Sequence, residues 1–331
     1  MKDVARQTRT HLMSLLRRHG LNPRGDLGQN FLIDVNLIEF AVRRADLSEQ
    51  DVVLEVGTGT GGMTAFLAQQ AGRVISVDID KNMSKLAQEA VADSDNVTLI
   101  NCDILKNKNT LASEVTDVIR QRLAEVPDSR LKLVANLPYS VATPVISNLI
   151  ASDLPWQRMV CTIQWELAVK MASEHARSTY AALSVWIQSQ ASVRILRRLG
   201  PNVFWPRPKV DSAIVSIWRY QDAADRILDR PFFQDFLRRM FSQRRKHIRS
   251  TLCGMYSKQL SKSEVDQLLA DLQFNPETRG ELLPVAELIR LGNGVYRRIQ
   301  GIPEPAAGAE PALQIDAPTT EVVDEHQRDE I

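Results

Sequence analysis

Val134-Ala135-Asn136-Leu137-Pro138-Tyr139 is the stretch on which the reading of this sequence turns. Leu131 to Ala135 form an apolar run of strand length, and Pro138 lacks the N–H that further ladder pairing needs. Asn136 to Tyr139 are therefore expected in a loop at a strand's carboxyl edge, where open α/β sheets bind their ligands. The loop offers the side-chain amide of Asn136, the Leu137 carbonyl ahead of Pro138 and the flat face of Tyr139. Together these suit a planar ring bearing an amino group, such as adenine.

Working outward, the same alternation of strand and helix recurs on both sides. Upstream, Asp34 is placed to cap a helix running to about Ala45. It is followed by a strand Val52–Val56, the turn Gly57-Thr58-Gly59-Thr60-Gly61-Gly62, a helix Met63–Ala71 and a strand Val74–Val77 ending on Asp78. A helix Asn82–Val91, a strand Val97–Ile100 ending near Asp103, and a helix Leu111–Ala124 lead into the opening strand. Downstream, a helix Thr143–Ala151 and a strand Met159–Ile163 precede helices at Glu166–Glu174 and Tyr180–Gln190. Strands Val193–Leu196 and Ser212–Trp218 flank the turn Phe204-Trp205-Pro206-Arg207-Pro208. Seven strands of this kind make a doubly wound, Rossmann-like α/β sheet. Beyond Gln221 the strand signal stops. Helices near Pro231–Leu252, Ser263–Leu272 and Val285–Arg297 predict a small all-helical C-terminal domain.

The chain thus divides into a basic N-terminal helix in residues 1–23, an α/β domain over 24–220, a helical domain over 221–302 and a tail over 303–331. The tail carries eight acids against Arg328, a net of −7, while the whole chain is +1, so the body carries +8. Rich in Pro, Ala and Glu with few apolar anchors, the tail is expected to be disordered. The body's charge leans toward a polyanionic partner, with a merely solvated surface as the alternative. In the N-terminal helix, Leu12, Leu15 and Leu16 share a face amid Arg6, Arg9, Arg17 and Arg18. A transit peptide has that composition, but no small-residue cleavage site follows. Three scattered cysteines without a CxxC pair point to the reducing cytoplasm, five histidines show no metal-ligand spacing, and no run approaches bilayer length.

Gly57, Gly59 and Gly62 satisfy GxGxxG after a strand, and Asp78 follows at the distance of a ribose-binding acid. A dinucleotide fold uses these devices, and S-adenosylmethionine suits them equally. Two further stations separate the readings. Asp103 after the next strand can accept from an adenine amino group, and Asn136 to Tyr139 lie where a methyl would emerge. Taken singly, Asp78 or Asp103 would read as a helix cap; the ordered series favours S-adenosylmethionine.

These residues resemble the rRNA adenine N6,N6-dimethyltransferase family, and within it the bacterial small-subunit (16S) branch. The likeness rests on Gln29-Asn30-Phe31-Leu32, Glu55-Val56-Gly57-Thr58-Gly59-Thr60-Gly61, Asp78-Ile79-Asp80, Asp103, Asn136-Leu137-Pro138-Tyr139, Phe204-Trp205-Pro206-Arg207-Pro208-Lys209-Val210-Asp211-Ser212 and Arg244-Arg245-Lys246. It covers about residues 24 to 300. Asp78 stands where the family more often has Glu, and Lys106 to Arg130 is longer than the pattern leads one to expect. The resemblance implies a class I methyltransferase sheet and S-adenosylmethionine as cofactor. It places Asn30 and Leu32 in the cofactor pocket, Gly57 near the methionine part, Asp78 on the ribose, Asp103 on the adenine, and Asn136 in both sites. Its implied substrate is a pair of adjacent adenosines in the 3′-terminal hairpin loop of small-subunit rRNA, met in a partly assembled 30S subunit by a monomeric enzyme.

The target nitrogen needs acceptors at Asn136 and Leu137, since its lone pair is delocalised into the ring. Tyr139 is expected to stack on the extruded base, with Phe204 as its second face or as core packing. Arg238 to Arg249 puts six positive charges into twelve residues, read as one helix whose surplus charge, at Arg244, Arg245 and Lys246 above all, meets RNA phosphates. Three alternatives remain at this stage: a large-subunit rRNA methyltransferase of the antibiotic-resistance type, a noncatalytic RNA-binding assembly factor, and an NAD-dependent enzyme.

Overall fold

A computed structural model of the chain describes residues 8–220 and 225–303; the acidic tail from residue 304 lies outside the described residues. The described residues fall into two compact units, one of 8–168 with 194–218, the other of 169–193, 219–220 and 225–303.

In the first unit, α1 (Arg9–Arg18) starts at the Thr8 N-cap, whose hydroxyl accepts from His11 N. Its Leu12 and Leu16 are buried, and Leu16 packs in a cluster with Met83, Leu86, Phe31 and Trp205. The basic helix is therefore part of the folded unit rather than a free arm. Next come β1 (Phe31–Leu32), α2 (Val35–Ala45) capped by Asp34, β2 (Asp51–Val56), α3 (Gly62–Ala68), β3 (Arg73–Val77), α4 (Lys81–Ala90) and β4 (Val97–Ile100). The unexpectedly long segment after Asp103 resolves into a hairpin, β5 (Leu105–Asn107) with β6 (Thr110–Leu111), and α5 (Ser113–Ala124), which packs on β2 and β3. It is a crossover with an ornamented entry.

β7 (Arg130–Asn136) and α6 (Tyr139–Ala151) then follow, so the expected four-residue loop is only Leu137-Pro138. The Pro138 carbonyl accepts from Val141 N and Ala142 N and starts the helix at once; Pro144 is tolerated inside it at the loss of one helix bond. β8 (Trp156–Gln164), β9 (Ala191–Leu199), β10 (Phe204–Trp205) and β11 (Ser212–Arg219) complete the strands. One seven-stranded sheet runs β4-β3-β2-β7-β8-β11-β9, parallel from β4 through β8 and antiparallel between β8 and β11. The order reverses between β2 and β7. At that switch point two neighbouring strands send their following loops to opposite sides and leave a crevice.

The second unit is helical, with Arg230–Ser242, Ile248–Met255, Lys262–Asp271 and Val285–Gln300 as its main elements. Segment 169–193, read from sequence as part of the α/β domain, groups with it. Tyr180 explains why: its hydroxyl donates to the Leu283 carbonyl at 3.1 Å and its ring meets Phe241 edge-on. The run expected as one helix from Pro231 to Leu252 breaks at Gln243–His247.

One polar pair lies deep in the first unit's sheet. Lys132, in central strand β7, is 2% exposed, and its ammonium sits 2.9 Å from Oδ2 of the equally buried Asp51 at the start of β2 while also donating to the Asp46 carbonyl. Asp51 Oδ2 accepts as well from Ser48 N at 2.7 Å and Ser48 Oγ at 2.9 Å. Asp51→Ala leaves a buried ammonium without its counter-charge and should lower unfolding stability by about 3–5 kcal/mol, measured by urea denaturation; a loss of under about 1 kcal/mol would show that the ammonium escapes to water.

Candidate active site

A cavity of about 250 Å³ opens at the carboxyl ends of β2, β3 and β7. Gly57, Gly59, Asp78, Asp103, Asn136 to Tyr139 and Asn30 all line it.

Its floor is the turn after β2. Gly57 has φ +86°, and a Cβ there would sit 3.0 Å from Pro138 Cδ, so glycine is required both by conformation and by the close passage of the two loops. Gly59 N donates to Asp78 Oδ2 at 2.9 Å, and Asp80 N to Asp78 Oδ1 at 2.8 Å. Burial raises the Asp78 pKa, against the effect of those two backbone donors. Asp78 therefore ties β3's end to the glycine turn while one edge still faces the cavity. Asp103 is exposed and accepts from Leu105 N at 2.9 Å, which opens the hairpin.

The amide of Asn136 is oriented by its partner. Its nitrogen faces the Asn30 carbonyl at 2.8 Å, and since a carbonyl only accepts, the facing atom is Nδ2. Oδ1 is left as an acceptor. Leu137 N donates to Thr162 O at 3.1 Å, while the Leu137 carbonyl accepts from none of the described residues. Two acceptors from consecutive residues thus border one cavity without donors. Tyr139 is half-buried, its hydroxyl 2.6 Å from Ser212 Oγ at the start of β11, and burial raises its pKa. The ring is pinned at both ends, by the helix and by the sheet.

Two expected residues stand elsewhere. Phe204 is 1% exposed and packs in the core with Ile38, Met63 and Val134, paired across β10 and β1 to Leu32; it borders a second recess with Trp205 and Arg207 and not the main cavity. Leu32 belongs to the same cluster and borders a small recess behind the glycine turn instead of the main cavity. The basic run is also redistributed. Arg238 and Arg239 pair with Asp235, Arg249 with Asp266, and Arg244 with Glu281 at 3.4 Å while donating to the Ser178 carbonyl at 3.0 Å. Arg244 is a tie between loops; only Arg245 and Lys246 in the run are exposed cations without a side-chain partner among the described residues.

Other residues at the cavity and beneath it were given no role in the sequence reading. Ile79 is 53% exposed on the cavity wall, a large apolar surface beside Asp78 on which a flat ring can lie. Gln29 bridges the Arg24 amide and Asp80 Oδ2. Beneath the turn, Glu55 is fully buried and accepts from Thr64 Oγ1 and Ser76 Oγ, each at 2.6 Å. Burial lifts its pKa to about 7 against those hydroxyls. Its place in the glycine motif was legible, its burial was not.

The ribosomal RNA adenine dimethylase family model matches residues 20–291. The chain belongs to this family. Ribosomal RNA small subunit methyltransferase A of Pediococcus pentosaceus is 35% identical over 306 residues, covering 91% of this chain and 97% of that protein. The protein of the same name from Anoxybacillus flavithermus is 34% identical, covering 89% and 97%. Among solved structures, a dimethyladenosine transferase from Plasmodium falciparum superposes with TM-score 0.66 at 22% identity over 80% of this chain and 97% of that one; 23S rRNA methyltransferase ErmE gives 0.58 at 20% over 80% and 99%. The dimethylase fold is shared by both. Membership excludes the NAD-dependent reading and makes the chain an rRNA adenine methyltransferase with a class I sheet. Among the described residues no acidic, His or Cys group could hold a metal ion, and no helix is long and apolar enough to cross a membrane.

Glu55 gives the dimethylase a pH signature. A carboxyl with a raised folded pKa contributes stability that is full below its unfolded value, 4.5, and is lost as pH rises toward 7. Glu55→Gln removes that dependence. The stability difference should shift in the variant's favour by roughly 3 kcal/mol between pH 4.5 and 7.5, read from melting curves; parallel curves would mean that Glu55 stays charged in the fold. Gly57→Ala should abolish cofactor binding through its φ and the Pro138 contact, measured by titration calorimetry.

Proposed function

We propose that this dimethylase converts two adjacent adenosines in the 3′-terminal hairpin loop of small-subunit (16S) rRNA to N6,N6-dimethyladenosine, with S-adenosylmethionine as methyl donor. The observation that carries the reading is the pair of unpartnered acceptors, Asn136 Oδ1 and the Leu137 carbonyl, bordering a cavity that Gly57, Asp78 and Asp103 also line. The small-subunit assignment is supported by the names of the Pediococcus and Anoxybacillus relatives.

When bound, S-adenosylmethionine supplies a methyl on a positively charged sulfur. The chain's own residues do the rest. Gly57 lets the methionine part approach backbone, Asp78 accepts from the ribose hydroxyls, Asp103 accepts from the cofactor's adenine amino group, and Ile79 supports that ring. Asn30 acts through its carbonyl, which fixes the Asn136 amide with Oδ1 toward the target. Asn136 Oδ1 and Leu137 O accept from the target N6–H groups, drawing the lone pair out of conjugation as the nitrogen becomes tetrahedral. Pro138 holds that carbonyl in place, and Tyr139 stacks on the flipped base. No side chain need act as base at the transfer; the nitrogen's surplus proton passes to water afterwards. Arg245 and Lys246 contact RNA phosphates, with Arg244 holding their turn. The reading includes a partly assembled 30S particle as substrate, a monomeric enzyme and a cytoplasmic setting.

Incubation with labelled S-adenosylmethionine and immature small subunits should label adenosine, and label appearing on large-subunit RNA instead would overturn the substrate. Asn136→Ala should reduce transfer at least about 100-fold while RNA binding stays near native, the cost of removing one preorganised donor or acceptor at a reacting atom. Replacing Arg245 and Lys246 by Ala should weaken RNA binding and make its salt dependence shallower by about two in log–log slope.

A further inference from the structure

Away from the cavity, the first unit carries a second basic surface, assembled from distant parts of the chain. On Phe40 of α2, the guanidinium carbons of Arg44 and Arg197 lie 5.0 and 5.9 Å from the ring centroid. On Trp218 of β11, those of Arg158 and Arg194 each lie 5.5 Å away. Arg158 and Trp218 are cross-strand register partners on β8 and β11, and Arg194 reaches the same ring from β9, the next strand. The two groups are joined, because Arg158 Nη1 donates to the Arg44 carbonyl at 3.1 Å. Arg43, exposed beside Arg44, adds a fifth cation. Among the described residues the one ion pair any of the five makes is Arg158 with Asp46, at 3.6 Å to a carboxylate 79% exposed.

A ring face orients a guanidinium and leaves its N–H edge outward, the geometry that grips a phosphate through two parallel bonds. Two cations on each ring repel one another, so the arrangement calls for an anion. Each ring has two guanidinium groups within 6 Å of its centroid, which leaves no purely apolar centre of the kind a protein interface is built around. We propose that this arginine–aromatic array binds the sugar–phosphate backbone of the substrate RNA, as a contact on the methyltransferase unit additional to the Arg245–Lys246 turn. The proposal rests on the chain acting on rRNA.

Filter binding of the full chain to immature small subunits, and to naked small-subunit rRNA, between 50 and 200 mM KCl tests it. With Arg44, Arg194 and Arg197 all replaced by Ala, affinity for both should fall at least about tenfold, and the log–log salt slope should become shallower by about two to three, one unit per lost phosphate contact. Titration with S-adenosylmethionine should give the native constant and so report an intact fold. Arg43→Glu, which touches no ring, should weaken both by several-fold without any repacking. Native affinity and slope in both variants would overturn the array. Weaker binding to particles with unchanged binding to naked rRNA would overturn it too, by transferring the surface to a ribosomal protein. If the native chain labels no small-subunit adenosine, the function reading fails on its own, since the array is judged by binding to RNA and not by turnover.

Discussion

The structure of the site depends on one close approach, that of the Gly57 backbone to the Pro138 ring. It exists because β2 and β7 are neighbours in the sheet and the strand order reverses between them. Two loops leaving adjacent strand ends must then share the same narrow crevice. Glycine at 57 supplies the positive φ and the missing Cβ; proline at 138 supplies a rigid wall that cannot swing into the gap. From this follow the cavity, the outward Leu137 carbonyl and the immediate start of α6. The site is therefore set by two backbone constraints, and its side chains are hung on them.

Those side chains are held by a second tier of polar contacts that the sheet buries. Asn136 is oriented by a carbonyl 106 residues earlier, Tyr139 by a serine 73 residues later, and the glycine turn by Asp78. Each bond joins a residue of the cavity wall to a different strand or loop, so the geometry of the cavity is only as rigid as the first unit itself. The Lys132–Asp51 pair joins β7 to β2, and the Glu55 cluster joins β2 to α3 and β3. Buried charge and buried carboxyl are costly unless every partner is in register. The first penalises a slip of β2 against β7, and the second a slip of β2 against β3, that all-apolar pairs of strands would tolerate.

What was legible in the sequence follows from the range of the forces involved. The seven strands were readable because each is a short, mainly apolar run between polar residues, and the stations at 57, 78, 103 and 136 because each sits at or just past a strand's end. The start of α6 lies at Tyr139, four residues before the expected Thr143, because the Pro138 carbonyl accepts from Val141 N and Ala142 N and Ala142 is buried. The burial of Phe204 was hidden for a related reason. Its prolines mark a stiff turn, but whether a ring in such a turn faces a ligand or a core depends on Leu32 and Met63, far away in the chain. The pKa of Glu55 was invisible too, since desolvation is a property of neighbours in space.

Charge shows the same divide more sharply. A run of arginines is conspicuous in sequence, yet the run from Arg238 to Arg249 is mostly spent on Asp235, Asp266 and Glu281, all three supplied from outside the run. The array around Phe40 and Trp218 shows no run longer than two arginines, but the sheet brings positions 44, 158, 194 and 197 together with almost no opposing charge. Local density measures how much charge the chain must dispose of; only the fold decides which charges remain unspent. For a protein whose partner is a polyanion, the unspent cations matter, and in this chain strand order creates more of them than sequence clustering does.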